Sequence, residues 1–203
     1  MAHTYALYSA PAAAAGAAYN TLNSSGYFES VTLDDSTNTV SCTLDGETVF
    51  TIQYSSGRVD WTFGVLTEYA TQVSAFWIGL CDSAVFVGFN GYPGRMYTLA
   101  LYKSKNGRIM FTYRNAYSGT VKHLCDDTAV SPSGESNTIT NNAFYSTACP
   151  VCSINGIVDA VSVSQNVYRF VDRYSGISDS SLSMVQIGDE SYLTDSYLCM
   201  KTT

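Results

Sequence analysis

The sequence predicts a mainly β protein, built of antiparallel sheets in a sandwich or barrel-like arrangement, with one N-terminal helix. Three observations predict it. From Tyr27 onward, apolar and polar residues tend to alternate with the period of a strand that buries one face. The alternating runs are separated by turn dipeptides, Asp45-Gly46 and Asn106-Gly107 above all, which suit two-residue hairpin loops. Ahead of them stands an alanine run from Ala12 to Ala18, interrupted by Gly16, and alanine is the strongest helix former.

The helix opens with Ser9 as candidate N-cap and Pro11 in the first turn, where a missing N–H costs nothing. It continues through Tyr19 and Leu22, which supply a weak apolar stripe, and stops at Asn23 to Gly26. Strands follow over 27–33, 39–44, 48–54 and 58–63, with turns at Asp34-Asp35-Ser36, Asp45-Gly46 and Ser55-Ser56-Gly57. They form a four-stranded meander in outline, and 64–73 reads as a connection. A second β region has apolar runs at 74–80 and 84–89 on either side of Cys81-Asp82-Ser83. After a Gly- and Pro-rich turn at 90–94, strands 96–103 and 108–115 flank Ser104 to Gly107, and 121–125 adds one more.

This organisation divides the chain into a helix plus antiparallel β domain at 1–125, a polar loop at 126–142 and a C-terminal β region at 143–203. The loop concentrates turn chemistry at Ser131-Pro132-Ser133-Gly134. The C-terminal region is expected to belong to the same compact unit. Its apolar residues fall mainly in 141–145, 158–170 and 183–199, with Gly188-Asp189 as the turn of a final hairpin.

Charged residues are only 13% of the chain, about half the usual share of roughly 25%. Ser, Thr, Asn, Gly and Tyr stand in their place, and 16 Tyr outnumber the 10 Lys and Arg. Tyrosine carries an apolar body with a polar tip and suits contact surfaces. A surface so poor in charge is weakly defended against association, which points to an assembly. The net charge of −7, with no basic run, argues against a nucleic-acid partner. The longest apolar runs, Ala75 to Leu80 and Ala84 to Phe89, are too short for a membrane helix. The N-terminus lacks the basic region of a secretory signal. Six cysteines dispersed through a chain long enough to build its own core read as free thiols of a reducing cytoplasm.

Cys149-Pro150-Val151-Cys152 is the sharpest motif. A redox pair of this spacing needs a helix start to lower the thiol pKa, and no βαβ pattern supplies one. Zinc would need two further soft ligands, and His123 and Cys125 are the available donors across the polar loop. The favoured reading is a turn with two ordinary thiols, so no metal or other cofactor is expected. A deaminase site needs His-x-Glu upstream, whereas the chain reads His123-Leu124-Cys125 and places Pro150 inside the cysteine pair. The only histidines are His3 and His123, so any triad must use one of them. The acid pairs Asp34-Asp35 and Asp126-Asp127 suit turn chemistry better than a glycosidase pair. No catalytic residue is expected. The glycine-rich stretch Gly88 to Gly94 lacks the following helix of a phosphate cradle, but an exposed Tyr92 within it would serve a contact surface.

The Tyr-bearing hairpins ALYKSKNGRIMFTY, Ala100 to Tyr113, and VQIGDESYLTDSYL, Val185 to Leu198, stand in a Ser- and Thr-rich, charge-poor chain. In this the chain resembles small virion structural proteins of tailed bacteriophages. The resemblance covers less than a quarter of the chain and carries over no functional residue. It implies a non-enzymatic part of a tail, baseplate, fibre or head decoration, made in the host cytoplasm and located in the virion. Its partners would be other virion proteins and copies of itself. A carbohydrate-binding or adhesion module facing a host surface glycan is the alternative expectation, and a hydrolase using His123 the third.

Overall fold

The computed structural model describes residues 4–81, 84–92, 96–103, 109–115, 120–125 and 128–129, together with strand segments between 138 and 201. The chain begins with strand β1 (Thr4–Tyr8) and helix α1 (Pro11–Ser25). A five-stranded antiparallel meander follows in simple order: β2 (Ser30–Asp34), β3 (Thr39–Leu44), β4 (Glu47–Ser55), β5 (Gly57–Phe63) and β6 (Leu66–Val73). The next strands are β7 (Phe76–Cys81), β8 (Ala84–Asn90), β9 (Met96–Lys103), β10 (Ile109–Asn115), β11 (Thr120–Cys125) and β12 (Thr128–Ala129). With β1 at one edge they form a seven-stranded antiparallel sheet in the order β1-β7-β8-β9-β10-β11-β12.

Neither sheet closes on itself, so of the two expected arrangements the sandwich is the one found. Alternation puts Val40, Cys42, Phe50, Ile52, Tyr54, Val59, Trp61 and Phe63 of the meander into the core. They meet Phe76, Val87, Phe89, Tyr97, Leu99 and Phe111 of the larger sheet. Rings knit the two layers: Trp61 lies 5.2 Å from Phe89 and 5.7 Å from Tyr97, and Phe63 stacks on Phe111 at 4.8 Å, centroid to centroid. Tyr54 packs edge-on against Phe76 at 5.3 Å.

Helix α1 contacts β2, β3 and β4 of one sheet and β1, β7 and β8 of the other. Its buried face is Ala14, Ala15, Ala18 and Leu22. The stripe expected from Tyr19 and Leu22 is therefore made chiefly of alanine, whose single methyl lets the helix backbone approach both sheets. The N-cap is Ala10, extended at φ −117° and ψ 135° with no side-chain cap bond, rather than Ser9. Pro11 occupies the first turn as expected, and Gly26, left-handed at φ 66°, ends the helix. Lys103 Nζ donates to the Gly26 carbonyl at 3.2 Å and so places a cation at the negative end of the helix.

The Asp45-Gly46 hairpin is present, with both residues at positive φ (53° and 78°), as a type I′ turn requires. Residues 64–73 are not a connection: Gly64 at φ 52° opens a two-residue turn between Phe63 and Leu66, and the chain returns as β6. Glycine in that first turn position is the type II′ signal. A bulge sits near the end of this hairpin, where Arg58 pairs with Thr71 and Gly57 with Val73, and the extra residue Gln72 takes φ 54°. Strand β1 was not expected either; its partner β7 lies far away in sequence, so no local turn signal announces the pairing.

Strands were expected at 74–80, 84–89, 96–103, 108–115 and 121–125, and all are found within a residue or two as β7 to β11. The turn residues Asn106 and Gly107 lie outside the described residues. Two short strands fall inside the expected polar loop, β12 and β13 (Thr138–Thr140). Further on are β14 (Ala143–Tyr145), β15 (Val151–Ile154), β16 (Ile157–Ala160), β17 (Val167–Phe170), β18 (Ser183–Ile187), β19 (Glu190–Thr194) and β20 (Leu198–Lys201). They form a sheet in the order β14-β13-β17-β20-β19-β18 and a separate β15-β16 pair. The β18–β19 hairpin pairs Ile187 with Glu190, as the Gly188-Asp189 signal predicts. Within this otherwise antiparallel sheet, β13 pairs with β17 in parallel.

The alanine face makes a specific demand on volume. Ala18→Leu is expected to lower unfolding stability by about 2 kcal/mol through overpacking. Ala13→Leu, on the exposed side of α1, is expected to change it by less than about 0.5 kcal/mol. Urea unfolding of the two variants checks this, and equal effects would refute the tight helix seat.

Candidate functional site

The outer face of the meander is the most distinctive exposed surface among the described residues. Register aligns its outward residues in rows that cross the sheet. Thr32, Ser41, Thr51, Thr62 and Thr67 stand directly opposite one another on successive strands β2 to β6. Strands lie about 4.8 Å apart, so this is a regular ladder of hydroxyls. Thr51 Oγ1 and Thr62 Oγ1 are 2.6 Å apart and share a hydrogen bond. The next row reads Asp34, Thr39, Gln53, Asp60 and Tyr69. A third row reads Ser55, Arg58 and Thr71 and is extended by Tyr92, which bridges to Thr71.

This last pairing brings Tyr92 to the same corner as Tyr69. The two rings are 61% and 55% exposed, which makes them the most exposed aromatics described. Beside them Arg58 Nε donates to Asp60 Oδ2 at 2.7 Å, and Arg58 Nη2 donates to the other carboxylate oxygen. The guanidinium carbon also sits 4.5 Å from the Tyr69 ring centroid. Hydrogen bonding to Asp60 raises the Arg58 pKa and keeps the guanidinium charged against its partner. The corner thus offers two tyrosines and a clamped arginine on a rigid sheet, with little net charge.

The corner is pinned by backbone chemistry. Tyr92 N–H donates to the Thr71 carbonyl at 2.6 Å, and Thr71 N–H donates back at 3.0 Å. Asn90 Oδ1 accepts the N–H groups of Ser74 and Ala75 at 3.1 and 2.8 Å. Gly91 lies between them, and a Cβ there would come within 2.9 Å of Val73 Cγ2 and 3.0 Å of the Thr71 carbonyl. Gly91 therefore serves a close backbone approach between the two sheets.

Of the residues singled out in the sequence, Tyr92 is placed on this surface as an exposed ring. Tyr69, Arg58 and Asp60 were missed. A signal was present in the Arg-x-Asp spacing of one strand and in the Thr67, Tyr69, Thr71 alternation of the next. What hid it was the reading of 64–73 as a connection. His123 and Cys125 lie on β11, paired in register with Thr112 and Met110. Cys152 lies on β15 opposite Asp159, and Cys149 falls outside the described residues. His123 and Cys125 thus lie in the seven-stranded sheet and Cys152 in the separate β15-β16 pair. Among the described residues no three His, Cys, Asp or Glu side chains form a metal-binding group. Residues 151–154 being a strand, the helix start that a redox pair at Cys149 and Cys152 would need is not at that place. Cys42 is buried in the core, and desolvation pushes its thiol pKa up to about 12. His3, Asp126 and Asp127 lie outside the described residues. No described helix is long and apolar enough to cross a membrane.

Compared with known proteins, the chain matches no protein-family model, no curated protein and no solved structure.

Asp34 carries out the turn chemistry expected of the Asp34-Asp35 pair. Its Oδ1 accepts Ser36 Oγ–H at 2.6 Å and Ser36 N–H at 2.9 Å, and its Oδ2 accepts Thr37 Oγ1–H at 2.9 Å. These bonds, the Ser36 hydroxyl first, hold the carboxyl below its usual pKa. A depressed folded-state pKa means that the turn's stabilisation is complete above the unfolded value of about 3.9 and is lost as pH falls through the folded value. An NMR titration is expected to show Asp34 protonating at lower pH than an unfolded-chain aspartate, and a midpoint at or above that reference would refute the assignment.

Proposed function

We propose that the chain is a non-enzymatic structural component of a bacteriophage virion, in a tail, baseplate, fibre or head decoration. It acts through contacts with other virion proteins and with copies of itself. The observation that carries this reading is the corner of the meander's outer face, where Tyr69 and Tyr92 stand exposed near Arg58, with Tyr92 bridged to Thr71. Tyrosine and arginine are, with tryptophan, the residues that most often dominate protein–protein contacts, and tyrosine gives large contact area at low entropic cost. Clamping of Arg58 by Asp60 removes further entropy before any partner arrives. The ladder of hydroxyls around the corner supplies polar contacts without a charge to desolvate. The low overall charge and the resemblance to virion structural proteins support the same reading.

The same two exposed rings, beside Gln53 and a row of hydroxyls, favour a glycan-binding module as the second reading. Light scattering over a concentration series separates the two. Virion assembly predicts a discrete oligomer or a defined complex with a second virion protein. Loss of one central tyrosine costs about 2 kcal/mol, roughly thirtyfold in dissociation constant. The double variant Tyr69→Ala/Tyr92→Ala is therefore expected to associate at least that much more weakly, with its thermal unfolding unchanged. A chain that stays monomeric and binds an oligosaccharide saturably, with the binding lost in the double variant, would replace the virion reading by the adhesion one.

A further inference from the structure

The outer face of the seven-stranded sheet is unlike that of the meander. Its inner face holds Phe76, Ile78, Val85, Val87, Phe89, Tyr97, Leu99 and Leu101, all in the core between the sheets. The residues between them point the other way, by the alternation of a strand. Yet Trp77 (4% exposed), Phe86 (4%), Thr98 (5%) and Ala100 (0%) are as buried as the core. Register sets them in two adjoining rows, Trp77-Gly88-Thr98 and Gly79-Phe86-Ala100. The Trp77 indole lies flat across Gly88, where a Cβ would fall 1.8 Å from its Cε2. That position hides one face of the ring, and only a further layer can hide the other.

The meander and α1 bury against the opposite face, so neither provides that layer. The exclusion of solvent also holds within a single chain, so no second copy is needed to produce it. Strands β7 to β9 read as nearly unbroken apolar runs, the pattern of sheets covered on both sides. The chain leaves this sheet at β12 and continues through a set of strands that pair with one another, not with it. We propose that the C-terminal strands β13 to β20 seat on the Trp77-Phe86-Ala100 face, so that the seven-stranded sheet is the middle of three layers. The face is then spent inside the molecule, and the meander's outer face is left for partners.

A full-length chain carrying a specific protease site in place of Ser131 to Gly134 tests this. After cleavage, the two parts of the wild-type background are expected to co-elute on size exclusion with the tryptophan emission unshifted. In Ala100→Lys, which places a charge in the middle of the face, they are expected to part. The emission of Trp77 should then shift to the red and binding of a hydrophobic dye should rise. Thr51→Lys, a charge on the meander's outer face, is the control and is expected to leave the parts together. The proposal is overturned if the wild-type parts separate with emission unchanged and no dye binding, or if the Ala100→Lys parts co-elute as the wild type does.

Discussion

The rings between the two sheets set the terms for the rest of the molecule. Trp61 projects from the middle of the meander and meets Phe89 and Tyr97 across the interface, while Phe63 and Phe50 close on Phe111. Rings of this size bury the largest areas available to any side chain and hold the layers at a sandwich spacing of about 10 Å. At that spacing the open side between the sheets is narrow, and only a helix with an almost bare face fits. The run of alanines answers that geometry, with Ala14, Ala15 and Ala18 fully buried against both layers. One packing constraint thus accounts both for the aromatic richness of the strands and for the one low-complexity stretch in the chain.

A sandwich formed by successive meanders must pass the chain from one sheet to the other, and here it does so within Val73 to Phe76. Asn90, Gly91 and Tyr92, returning from the second sheet, bind that crossover through the Asn90 side chain and a pair of backbone hydrogen bonds. The crossover satisfies its polar groups at the point where strand pairing cannot. It also carries Tyr92 onto the outer face of the meander, beside Tyr69 and Arg58. The candidate contact surface is therefore a by-product of how the two sheets are joined, and its rigidity comes from the same bonds.

The two sheets divide polarity between them. Outward positions of the meander are mainly Thr and Ser, with Asp34, Gln53, Tyr69 and the Arg58–Asp60 ion pair, and Glu68 takes an inward-facing register position on the edge strand that discourages edge-to-edge pairing. On β7 to β9 of the larger sheet the outward positions Trp77, Gly79, Phe86, Gly88, Thr98 and Ala100 are all excluded from solvent. A protein that works through contacts gains from this split, because one face can be committed to its own fold while the other stays open and low in charge.

By itself the sequence determined the elements whose cause is local. Period-two alternation marked β3 to β5, apolar runs marked β7 and β8, the Asn106-Gly107 signal marked β9 and β10, Asp45-Gly46 marked a hairpin turn, and the alanine run with Pro11 and Gly26 marked one helix. Each of these depends on backbone sterics within a few residues, so it can be read from a few residues. The tertiary structure alone decided that β1 pairs with β7, that alanine forms the helix's buried face, and that the sheets stay open as a sandwich. It also decided the candidate surface. Tyr92 looked eligible from its glycine-rich surroundings, but its company of Tyr69, Arg58 and Asp60 depends on register across three strands and one crossover. Such pairings join residues distant in sequence, and their free energy lies in contacts between strands, which no local pattern encodes.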